Sequence, residues 1–213
     1  MSIITDGRLQ RLWTDAQQYP EWATTRLWEH IFNRVIFTES KWVVSSQQPP
    51  THQPSELRRV DLIVEEINAH AQTVGTLLFV EAKRASASPK DIEEVEYQAF
   101  TAACAYYVET GVENLWSMTC VCSKARLWIF HDKSTYLIPF VPLGYGLAAI
   151  DEYLEISTHG TTLVEGLEFC KNNMKPPNNL LQMADASPKP ANVTLPSSWH
   201  DDGVTIVDAQ RQS

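Results

Sequence analysis

The sequence predicts a mixed α/β domain in which helices cover a β-sheet, with more strands and helices after the core. Three observations predict it. Residues 59–67 and 76–82 are nearly continuous in Val, Leu, Ile and Phe, as central strands covered on both faces require. A helical stripe of Trp28, Ile31, Phe32, Val35 and Ile36 precedes them. A second helix with clear start and stop residues follows them.

In chain order, residues 5–18 read as a short leading helix that ends near Pro20. The stronger helix spans 21–37, and 41–46 reads as a strand. Residues 47–55 hold three prolines among polar residues and read as a loop. The two central strands are joined by a turn at 68–75. Ser88-Pro89 introduces a helix over 91–109, with Pro early, Asp and Glu in the first turn and Gly111 at the end. Residues 115–122 alternate as a strand and pair with 125–131 across a short polar turn; 136–141 is another strand-like run. Helical patterns follow near 147–156 and 162–173. Beyond Lys175 the chain is rich in Pro, Asn and Ser and is expected to be largely disordered, with at most a short sticky element at 204–207. The organisation is therefore one domain over 1–174 and a tail over 175–213.

Length and composition agree: 213 residues, 44% hydrophobic and 20% charged, suit one domain with extensions rather than two. A net charge of −9 argues against a general nucleic-acid binder, since phosphate contacts need clustered Lys and Arg. A local basic patch of Arg58, Arg59, Lys83, Arg84 and Lys90 remains open, either as a phosphate track or as a solvated rim. No apolar run reaches the roughly 18–20 residues of a membrane span, and the first ten residues lack the apolar stretch of a secretory signal. An intracellular protein is expected, cytoplasmic or nuclear, with no membrane partner. Cys120 and Cys122 share one strand face; with no second Cys or His pair at ligand spacing they read as buried thiols rather than metal ligands.

The chemistry-bearing constellation is Asp61 with Glu81-Ala82-Lys83. A hairpin centred on Ala71 sets Asp61 opposite Glu81, and Lys83, two residues on, shares the face of Glu81. Directly opposed residues have Cβ atoms roughly 4.5–5.5 Å apart. Two carboxylates that close in an apolar sheet repel, and leaving both ionised there is costly. A hard divalent cation, Mg²⁺ or Mn²⁺, resolves the conflict, and Lys83 would then orient or deprotonate an attacking water or stabilise charge on phosphate. A Glu-x-Lys triplet alone arises about once by chance in a chain this long. Here, however, it closes the run Leu77-Leu78-Phe79-Val80, and Asp61 opens Leu62-Ile63-Val64. The bland alternative is a structural ion-pair cluster at a sheet edge. The pairing also depends on register, since a one-residue slip sends Asp61 to the other face.

The stretches Arg58-Arg59-Val60-Asp61-Leu62-Ile63-Val64 and Leu78-Phe79-Val80-Glu81-Ala82-Lys83-Arg84, with the helix after them, resemble the PD-(D/E)XK nuclease superfamily, particularly nuclease-like proteins of fungi. The resemblance covers roughly residues 21–130. It implies a restriction-endonuclease-like core of helix, three strands, helix and strand, in the order read above. It implies Asp61 and Glu81 as metal ligands, with the Ala82 carbonyl as an additional one, and Lys83 beside the attacking water. It also implies a metal-supporting glutamate on the first helix, matched by Glu29, and a glutamine on the later helix, matched by Gln98. Glu29 is equally suited to pairing with Arg26 or Arg34 at the surface. Two departures stand out: Val60 replaces the superfamily's proline, and Ala102 lies where RecB-like relatives place a tyrosine.

No nucleophile elbow, P-loop, dinucleotide fingerprint or zinc-spaced His pair competes. Two readings of function follow. One is a metal-dependent nuclease-like phosphodiester hydrolase acting on DNA or RNA. The other is a catalytically inactive or repurposed nuclease-like scaffold that serves protein interaction or small-molecule chemistry.

Overall fold

The computed structural model describes residues 1–68, 72–144, 149–181 and 185–212. Helix α1 (Gly7–Gln18) is N-capped by Asp6, whose carboxylate accepts from the backbone N–H groups of Arg8 and Leu9. Helix α2 (Glu21–Ile31) starts after Pro20 and continues into a π-helical turn at Phe32–Ile36. Strands β1 (Trp42–Gln48), β2 (Val60–Asn68) and β3 (Thr73–Lys83) follow. Both central strands run further into the expected turn than the sequence indicates, and its centre, 69–71, lies outside the described residues.

Helix α3 (Pro89–Thr110) carries the expected punctuation: Ser88 and Asp91 form a capping box, and Gly111 closes the helix at φ 71°. That left-handed conformation is one glycine adopts without a Cβ clash. Beyond it lie β4 (Asn114–Val121), β5 (Lys124–His131), β6 (Ile138–Val141), β7 (Leu154–Glu155) and α4 (Ile156–Asn172), then α5 (Asn178–Leu181) and α6 (Asp202–Arg211). The helix expected near 147–156 is absent from its described part: Ile150–Glu152 is a short 3-10 turn, and Leu154–Glu155 joins the sheet. Pairing of Leu154 with Ala125 and of Glu155 with Lys124 overrides the local helical pattern.

Among the described residues the seven strands form one mixed sheet in the order β1-β2-β3-β4-β5-β6, with β7 also on β5. Only β3 and β4 are parallel, because α3 carries the chain back between them. The sheet separates two apolar layers. Leu62, Val64, Leu78 and Val80 pack towards Leu27, Trp28 and Ile31 of α2 and Leu163 and Leu167 of α4. The alternate residues Ile63 and Phe79 pack towards Phe100 and Cys104 of α3. The fold is therefore mixed α/β with helices on both faces. The four cysteines are free and buried, which for Cys120 and Cys122 agrees with their reading as buried thiols. No helix among the described residues is long and apolar enough to cross a membrane.

The tail is the largest correction. The sequence suggested a largely disordered tail beyond Lys175 with at most a short sticky element at 204–207, whereas that element sits in a full helix, α6, which lies on α3 with Val204 3% and Val207 1% exposed. Burying each valine stabilises by about 2 kcal/mol relative to exposure. Gly203 permits the approach, since a Cβ there would stand 2.9 Å from the Ala105 backbone nitrogen. Polar composition concealed the helix around these two valines.

Candidate active site

The β2–β3 register pairs Leu62 with Val80, Ile63 with Phe79 and Val64 with Leu78. Continued by one residue, it sets Asp61 opposite Glu81. Asp61 shares the sheet face of Ile63, and Glu81 and Lys83 share that of Phe79, so all three lie on the α3 side. Asp61, Glu81, Lys83 and Gln98 line one cavity of about 310 Å³. Gln98, 5% exposed, enters it from α3.

Asp61 is held from two sides. Its Oδ2 accepts from the Ala82 backbone N–H at 2.8 Å, and its Oδ1 accepts from Gln47 Nε2 at 2.8 Å. Burial nevertheless raises its pKa to about 6, with Glu21 adding to the rise. Glu81 is 2% exposed, and its Oε1 has no hydrogen-bond partner. Burial, and after it the Asp61 charge, push Glu81 well above the ordinary carboxylate range. An ionised, unpaired oxygen in such a setting is strongly unfavourable.

Lys83 does not relieve this conflict. Its Nζ lies 2.9 Å from Glu94 Oε1 and 3.7 Å from Glu21 Oε2. Burial pulls its pKa down, but Glu21 and Glu94 outweigh burial and hold it above the ordinary lysine value. The amine is an ammonium at neutral pH. A base role for it, one of the sequence expectations, does not fit; a cationic role does.

Glu29 is not brought to this site. It lies eight residues beyond Glu21, about 12 Å along the helix axis, and borders a separate cavity with Arg8, Arg26 and Arg34. The face of α2 that meets the sheet is Glu21, Thr24 and Trp28: the Thr24 hydroxyl donates to the Lys83 carbonyl at 3.1 Å, and Trp28 Nε1 donates to the Cys122 carbonyl at 2.9 Å. Glu21 is thus the helix glutamate at the cavity. The i, i+3, i+7 stripe made it findable. Glu94, four residues before Gln98, was equally findable. Gln47 was not, because its backbone has φ 53°, where a simple strand reading fails. Nor was the wall supplied by Pro196, Ser198 and Trp199 of the tail.

The basic patch that the sequence left open is broken up. Arg58 is 3% exposed and bound to Glu56, so it cannot meet phosphate. Arg59 borders the cavity, and Arg84 and Lys90 are exposed.

Among the described residues no group of three or more His, Cys, Asp or Glu side chains is arranged to hold a metal. Two carboxylates with hard oxygen donors, one oxygen of them orphaned, nevertheless fit a small divalent cation that takes its remaining ligands from backbone, water or substrate. No protein-family model, curated protein or solved structure matches this chain.

Proposed function

We propose that the chain is a metal-dependent, nuclease-like phosphodiester hydrolase acting on DNA or RNA, built on a restriction-endonuclease-like core. One observation carries the reading: Glu81, which lines the cavity together with Asp61 and Lys83, keeps its Oε1 buried without a partner. The element order α2, β1, β2, β3, α3, β4 supports the core assignment. Asp61 and Glu81 would hold Mg²⁺ or Mn²⁺, and the bound ion would polarise the phosphate and acidify a water. Asp61 is oriented for this by Ala82 and Gln47. The Lys83 ammonium would stabilise negative charge developing on phosphate oxygens. Glu21, beside Lys83, is the carboxylate placed to take the proton of the attacking water. Gln98 would orient a phosphate oxygen or that water through its amide.

The test is cleavage of single-stranded, duplex and structured DNA and RNA by the full chain with Mg²⁺ or Mn²⁺. Cleavage should require the cation and fall to background in Asp61→Asn and Lys83→Ala, both still folded by circular dichroism. Wild-type protein that binds the cation yet cleaves none of these substrates would overturn the hydrolase reading. One observation favours the repurposed scaffold instead: Lys83 is already engaged by Glu94. If that reading holds, Glu94→Gln should leave the protein as inactive as the wild type.

A further inference from the structure

We propose that the site takes an unpaired nucleotide, with its phosphate at Asp61, Glu81 and Lys83 and its base in an adjoining cavity between Tyr97 and Trp199. The inference rests on the phosphodiesterase reading for the phosphate end only. The second cavity, about 380 Å³, is lined by Tyr97, Asn192, His200 and Asp201 among others, and Trp199 borders both cavities. Helix α3 likewise serves both through consecutive residues, Tyr97 in one and Gln98 in the other. With a cation held by Asp61 and Glu81 as proposed above, a group that fills the two cavities together needs an anionic end and a flat end. A nucleotide has that form.

The segment that carries Trp199 is tied down on both sides. Arg58 Nη1 donates to the His200 carbonyl at 3.3 Å, His200 Nδ1 lies 2.7 Å from Asp202 Oδ1, and Lys189 Nζ lies 2.9 Å from Asp208 Oδ2 on the docked α6. Tyr97 is fixed by stacking on Tyr136, with the ring centroids 6.4 Å apart. Aromatic faces accept any base, while amide and carboxylate groups such as Asn192 and Asp201 read its edge. A base still stacked in a duplex cannot enter; it must be single-stranded or extruded.

The test is fluorescence anisotropy of the full chain in EDTA, and again with Ca²⁺, using a labelled oligo-dT, a fully paired duplex of the same length and that duplex with one internal mismatch. Oligo-dT should bind best and the paired duplex worst. Binding of the mismatched duplex near the oligo-dT level identifies an extruded base as the ligand; binding at the paired level identifies a free single strand. Trp199→Ala should weaken oligo-dT binding by roughly tenfold or more, and Trp199→Phe should restore most of it. A paired duplex that binds as well as oligo-dT, or Trp199→Ala and Trp199→Phe both matching wild type, would overturn the inference, as would no nucleic-acid binding at all. Stacking-dependent binding without cleavage would uphold this inference and reject hydrolysis, so the two failures are distinguishable.

Discussion

Two buried glutamates, Glu56 and Glu81, meet opposite fates in this fold. Glu56, 6% exposed, accepts from both the backbone N–H and Nε of Arg58 at 2.8 Å through Oε1. Its Oε2 takes a hydrogen bond from Arg58 Nη2 and another from the Thr51 hydroxyl. Burial pushes its pKa up, yet the bonds from Arg58 prevail and the net shift is downward. Glu81 is buried more deeply, faces a second carboxylate and keeps an oxygen with no partner; its pKa goes well up. The chain can satisfy a buried carboxylate with an arginine where the role is structural. At Glu81 the nearby cation, Lys83, is instead tied to Glu94. The contrast argues against a structural ion-pair cluster and for a site completed from outside.

The largest expected effect tests the satisfied side. Arg58→Ala strands a buried carboxylate and should lower unfolding free energy by about 3–5 kcal/mol in urea denaturation. The opposite sign is expected at the other pole. Asp61, at about 6 in the folded chain, binds its proton more tightly than the unfolded chain does. Its raised pKa therefore adds stability at low pH that is lost as pH rises from about 4 through about 6. Asp61→Asn keeps an acceptor for the Ala82 N–H and removes this loss. In EDTA it should gain up to about 3 kcal/mol over wild type at pH 7.5 and nothing near pH 4. A variant less stable than wild type at pH 7.5 would show that the Asp61 carboxylate is satisfied in the folded chain.

Saturating Mn²⁺, at about a hundred times its dissociation constant, should stabilise wild type by about 2.7 kcal/mol and leave Asp61→Asn unmoved in thermal melts. The smallest effect belongs to Gln47→Ala. Removing one donor to Asp61 should cost about 1 kcal/mol and move the Asp61 titration, followed by NMR, above about 6.

The central register was legible because both strands carry apolar runs that one slip would expose; Leu62–Val80 and Ile63–Phe79 pair as the hairpin centred on Ala71 requires. Helix α3 was legible through Ser88, Pro89 and Gly111. Residue 29 misled because a helix at 3.6 residues per turn can align more than one glutamate with apolar neighbours, and only the contacts of Thr24 and Trp28 reveal which stripe meets the sheet. The tail was legible only as an apolar spot at 204–207, for a different reason. Its docking rests on Gly203, Val204 and Val207 meeting a complementary face on α3, a tertiary match that composition does not encode.

The most direct measurement is calorimetric titration of the metal-free chain with Mn²⁺ at pH 6 in two buffers of different ionisation enthalpy. One saturable event is expected, with protons released from the Asp61–Glu81 pair, and it should disappear in Glu81→Gln. No binding, or binding unchanged by that substitution, would contradict this.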